Sequence, residues 1–163
     1  MTPIDIANNA LALLHEPPIN RFDPNGNDAQ LMCCLHYHPV RREVLCVHPW
    51  AFAQRAENIG TFATADGEHA IPHNLPPLCL RVLEVDCPGF TLRGRQLFAT
   101  AKIVNVRYIL DVEDTELFTP GFLDLFTLRL AAIMCIPLVN STTLRAELMA
   151  QYDTKLKSIQ TQN

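Results

Sequence analysis

Apolar residues first recur at helical spacing in Ile4, Ala7, Leu11 and Leu14, one face of a helix opened by Thr2-Pro3-Ile4-Asp5. Thr2 is the expected N-cap, and Pro3 fills the first helical position, where its missing N–H costs nothing. Asp5 sets an acid against the positive end of the helix dipole. Pro17-Pro18 ends the segment, and Asp23-Pro24-Asn25-Gly26 marks a turn. Helical spacing resumes near Asn27 or Asp28 and is expected to run to about Glu57. Pro39 and Pro49 each remove a backbone donor, so two or three pieces with a bend are expected there. Residues 60–77 turn to Gly, Thr, Ala, His and Pro without a period, which predicts a long, partly extended connection.

A two-residue period follows. Strands are predicted at 79–86, 90–92, 96–99 and 103–110, with Arg93-Gly94 as a hairpin turn. The last has the clearest alternation: Val104, Val106, Tyr108 and Leu110 point one way, Asn105, Arg107 and Asp111 the other. Thr119-Pro120 opens another helix, whose body carries only Asp124 and Arg129 as charges and is expected to be buried around most of its circumference, with Pro137 as its stop. Ser141 caps a last helix with Leu144, Leu148, Tyr152, Leu156 and Ile159 on one face. The last two helices, joined by a short link, should pack antiparallel. The pattern predicts an α+β fold in a single domain over 1–163. About four helices (1–58 and 119–163) form a bundle, and a small antiparallel sheet is inserted at 59–118.

Hydrophobic residues make up 48% of the 163 and charged residues 18%, a balance that suits one domain with a sizeable core, including surface buried by oligomerisation. The net charge of −4 excludes a broadly basic nucleic-acid footprint. No apolar run is expected to approach the roughly 20 residues needed to span a bilayer. The N-terminus lacks the basic start of a signal peptide, so the six cysteines are expected to be reduced thiols.

Three cysteines and three histidines crowd into one span: Cys33, Cys34, His36, His38, Cys46 and His48. Zinc needs three or four such ligands converging tetrahedrally. On one helix Cys34 and His38 share a face, and so do Cys33 and His36, but the two pairs point apart. Cys79 and Cys87, and His69 and His73 in the loop, do not supply a second half-site. Burial as small hydrophobes is the expectation for these cysteines, and no metal or cofactor is expected. Glu84 and Asp86 alternate out of a strand and are expected on a solvated face. No Gly-x-Ser-x-Gly, Gly-rich phosphate loop or His-Glu-x-x-His is present. No feature favours an enzyme. Trp50 and Phe52, following a helix-bending proline, are expected to plug a core.

Arg41-Arg42-Glu43-Val44-Leu45 followed by His48-Pro49-Trp50-Ala51-Phe52-Ala53 resembles the signature of the phage tail tubular protein A family, the head-to-tail adaptors of short-tailed phages. The resemblance runs over nearly the whole chain. It includes the opening "IANNALALL", the segment "LPPLCLRVLEVD" at 75–86, Tyr108-Ile109, and Arg129-Leu130-Ala131-Ala132 with Ile136-Pro137-Leu138. Ala51 stands where Asn is usual, Leu78 where Asp is usual, and the β region is short.

The resemblance implies a structural protein of the virion's tail or neck, assembled in the host cytoplasm and serving DNA ejection. It implies a ring of identical subunits, a dodecamer, below the portal protein. The ring extends the DNA channel and docks the tail nozzle or tube protein. Genomic DNA passes through without specific binding, and no membrane is involved. Trp50, Phe52, Arg129, Tyr152, Lys155 and Lys157 are then the interface candidates, with the C-terminal helix and its end "KLKSIQTQN" meeting the portal. Two other readings stay open: a head-completion or neck protein of a long-tailed phage, and a small Cys/His metal-binding protein. A nucleic-acid-binding regulator is the weakest, with 13 basic residues against 17 acids.

Overall fold

Thr2 caps the first helix, α1 (Pro3–Leu13), by accepting from the Asp5 N–H while the Asp5 carboxylate accepts from the Thr2 N–H at 2.8 Å. The computed structural model describes residues 1–162 of the chain. Asn27 and Gln30 make the same reciprocal cap at the start of α2 (Asp28–Cys46). Thr119 and Ser141 cap α3 (Pro120–Val139) and α4 (Thr142–Thr161). Asn140, in the left-handed conformation at φ 52°, ends α3 and turns the chain into α4.

The chain separates into two units. The helical unit comprises 1–48 and the residues from Glu113 onward; the β unit comprises 49–112. In the helical unit α3 is central, and α1, α2 and α4 each pack on it. Ile6, Leu11, Leu45, Phe122, Phe126 and Leu130 are fully buried there. Tyr37 and Phe126 meet edge to face at 5.1 Å, and Phe122 and Phe126 meet tilted at 5.8 Å. The most apolar stretch of α3 has a mean hydropathy of 2.0, enough in length and composition to cross a membrane. This corrects the expectation that no such run exists. The helix nevertheless carries three others on its surface.

Two prolines behave differently from expectation. α2 continues through Pro39 in one piece, and α3 continues through Pro137 to Val139. Pro39 and Leu35, whose carbonyl loses its helical partner, both lie on the exposed face of α2, so the carbonyl is not sealed in the core.

In the β unit, β1 (Gln54–Gly60), β6 (Ile103–Leu110) and β3 (Cys79–Val85) form one antiparallel sheet in the order β1-β6-β3. A second sheet has the order β2-β5-β4, from β2 (Ile71–Asn74), β5 (Gln96–Ala99) and β4 (Thr91–Arg93). Ile59, Cys79, Val104, Val106 and Tyr108 from the first sheet share a core with Leu97 and Ala99 from the second. Gly94, at φ 57°, supplies the positive dihedral that the two-residue β4–β5 loop requires. β3 carries irregularities at Leu80 and Leu83, where its pairing with β6 skips a residue.

The α+β class holds, with two sheets in place of one. The boundaries move: residues 54–57, expected to end a helix, belong to strand β1, and 71–74, expected within a connection, are β2. The helix–sheet division therefore falls at 48/49 and 112/113, not at 58/59 and 118/119. Pro49 ends helical hydrogen bonding, and the whole of 54–60 pairs with 103–109 of β6.

Candidate functional site

α1 and α4 leave a groove of about 1000 Å³ between them over α3. Its floor is the face of α3 that carries Leu123, Thr127 and Leu128; α1 contributes Asn9 and Leu13. On α4 the facing positions are Ala150, Thr154 and Ser158, spaced by four and so aligned along the helix. These side chains are too short to fill the space above α3. Because α3 is apolar on nearly all sides, whatever its neighbours leave uncovered is an apolar surface. Leu13 remains exposed at the margin. This depression is built for packing: among its described lining residues the charged side chains are Asp124 and Lys155, paired at 3.1 Å.

The structure divides the six predicted interface residues. Trp50 is buried and lies 6.1 Å from the half-buried Phe52 ring, beside a short 3-10 turn at Ala51–Ala53. Tyr152 is buried on the inner face of α4. Arg129 donates through Nε to Glu43 Oε1 at 2.8 Å, linking α3 to α2. Burial pushes the Tyr152 phenol above its usual range, with the Glu43 charge adding to the shift and Arg129 opposing it. Arg129 and Tyr152 thus hold α2, α3 and α4 together, and their side chains are used within the chain. Lys155 lies in the groove, and Lys157 is exposed on the same helix. The end "KLKSIQTQN", expected as a segment that orders on docking, continues α4 to Thr161; Asn163 lies outside the described residues.

The Cys/His span does not gather. Among the described residues no three of His, Cys, Asp and Glu converge as a metal site. Cys33 is buried with its Sγ 3.8 Å from Met134 Sδ, and burial pushes its thiol up to about 11. Cys135 donates to the Ser141 carbonyl at 3.3 Å. His73, expected in a loop, sits buried on β2. Its Nε2 is 3.1 Å from the Lys102 carbonyl oxygen and its Nδ1 is 3.1 Å from that of Ile71, so it ties a loop to the second sheet. Glu84 pairs with Arg107 at 2.9 Å, and Asp86 accepts the Asn105 N–H at 2.9 Å; both are exposed.

A smaller cavity of about 520 Å³ is lined by Phe22, Cys33, Cys34, Tyr37, His38 and Glu113, among others. The Tyr37 hydroxyl is buried there without a hydrogen-bond partner among the described residues.

Sequence reasoning missed the groove itself. Its signals were the small residues Ala150, Thr154 and Ser158 at four-residue spacing, and the all-round apolarity of α3. It also missed Phe62, fully exposed on the loop between β1 and β2, whose signal was one large aromatic in the otherwise small and polar run "TFATADGEHA". Compared with protein-family models, and with curated proteins, the chain matches none.

Proposed function

We propose that this chain is a structural head-to-tail adaptor. Identical copies form a ring below a portal, lengthen the channel through which DNA leaves the capsid, and offer a seat to the tail nozzle or tube. It performs no chemistry of its own. The observation that carries this reading is the groove over α3: the helical unit leaves an apolar face of its central helix uncovered. A closed ring needs such faces, because head-to-tail contacts join two different patches of each copy. The sequence resemblance around Arg41–Ala53 and Leu75–Asp86 supports the same reading, as does the insertion of an all-β unit between helices. The low charge suits a subunit flanked by copies of itself.

Electron microscopy of the purified chain incubated with portal rings tests the proposal. Extra ring-shaped density at one end of the portal is expected. Portals that remain bare under saturating protein overturn it.

A further inference from the structure

The second cavity of the helical unit, about 520 Å³, shares no lining residue with the α1/α3/α4 groove. Its size lies in the range of small-molecule sites. Pro3 and Ile4 of α1, Phe22 from the loop before α2, and Cys33 give it largely apolar walls. Its polar side chains are not equivalent. Glu113 Oε1 lies 3.6 Å from Nη2 of the buried Arg41, so the carboxylate already faces a cation. His38 Nδ1 accepts from Arg41 Nε at 3.4 Å. Tyr37 differs from both: the residue is 4% exposed, and its hydroxyl is buried without a hydrogen-bond partner among the described residues.

That hydroxyl is chemically versatile. Burial pushes the phenol up to about 12, with Arg41 opposing and Glu113 adding, so at neutral pH it keeps its proton and can both donate and accept. The influence of those two charges also sets the hydroxyl toward the end of the cavity where Glu113 stands. A buried hydroxyl left unpaired is destabilising, and a group that enters and pairs with it offsets the penalty. The rim beside it is able to open. His38 packs its ring edge-on against Tyr37 at 5.1 Å, yet His38 and Glu113 are exposed, and exposed side chains change rotamer within nanoseconds. We propose that this cavity binds a neutral, largely apolar small molecule whose single hydroxyl or carbonyl group hydrogen-bonds the Tyr37 hydroxyl while its body lies against Ile4 and Phe22. A neutral ligand is specified because the carboxylate at the rim is matched by Arg41 and leaves no charge for an ion. The site is independent of the ring reading, and its failure leaves the adaptor proposal in place.

The test is a titration of the full chain, labelled with nitrogen-15, followed through its amide signals. Four probes of similar size are used: phenol, toluene, benzoate and benzylammonium. Phenol is expected to give saturable shifts centred on Phe22 and 33–38, with a dissociation constant of about 1 mM or below. Toluene, which fills the same space without a polar group, should bind at least about tenfold more weakly, and both ions more weakly than phenol. Tyr37→Phe removes the anchor and leaves the walls. It should erase the preference for phenol over toluene while the thermal transition stays in place. Four results overturn the proposal: no saturable shift with phenol up to about 5 mM, as when water alone occupies the cavity; equal affinity for phenol and toluene; a preference for phenol that survives Tyr37→Phe; or shifts centred on the groove residues 123–128. Tighter binding of either ion overturns it as well. So do shifts at 33–38 that follow protein concentration without any probe, which assign the cavity to a side chain of a second copy.

Discussion

Cys33 and Tyr37 stand one turn apart on α2, and burial dominates the titration of both. The thiol is pushed from 9.0 up to about 11 and the phenol from 10.0 up to about 12. Both groups bind their proton more tightly in the fold than in the unfolded chain. Their contribution to stability is complete below the unfolded values and is lost as pH rises through the folded ones. The midpoint of thermal unfolding is therefore expected to fall between pH 9 and about 12, and Cys33→Ala with Tyr37→Phe should flatten that fall. Melts across this range check it; an unchanged alkaline profile in the double variant contradicts it. At neutral pH, Tyr37→Phe also removes a buried hydroxyl without a partner and is expected to be neutral or stabilising by about 1 kcal/mol. At this scale the sequence was legible where chemistry is local. The Thr2–Asp5 cap needs only residues three apart and formed as expected. The burial of Cys33 follows from its type. That Arg129 and Tyr152 face inward, sharing the field of Glu43, depends on three helices meeting, and no neighbour in sequence announces it.

Helices tolerate a proline when the orphaned carbonyl faces water, and α2 shows where that condition is met. Pro39 and Leu35 share its exposed face. Pro39→Ala restores the missing donor without disturbing the core and is expected to raise stability by about 1 to 3 kcal/mol. Urea unfolding with an unchanged slope and a higher midpoint is the expected record. A lower midpoint means instead that the Pro39 ring itself is required where it stands. The same elements show what a one-dimensional pattern conveys. β6 announced itself because Val104, Val106 and Tyr108 alternate with polar residues, and all three are buried. β1 did not: "QRAENIG" buries only Ile59 and has no period, yet its full length pairs with β6. An edge strand with a mostly wet surface is held by ladder hydrogen bonds, and these are equally available to any sequence.

The whole molecule carries a net charge of −4, with its exposed bases distributed among acids such as Glu84 beside Arg107 and Asp124 beside Lys155. The proposed adaptor role requires that DNA slide past the protein without being gripped. A mobility-shift titration at about 0.15 M salt is expected to show no complex up to about 100 µM protein, since nonspecific binders owe their affinity to phosphate neutralisation. A salt-sensitive complex at low micromolar protein contradicts that. By itself the sequence determined the α+β class, the helix caps, four strands and the apolarity of α3, because each is written in neighbouring residues through periodicity, capping and turn chemistry. Only the tertiary structure decided that 54–60 is strand, that α1 and α4 stop short of closing over α3, and that Phe62 stands alone in solvent. Those outcomes depend on the volumes left between elements distant in the chain, a balance of packing that no local stretch contains.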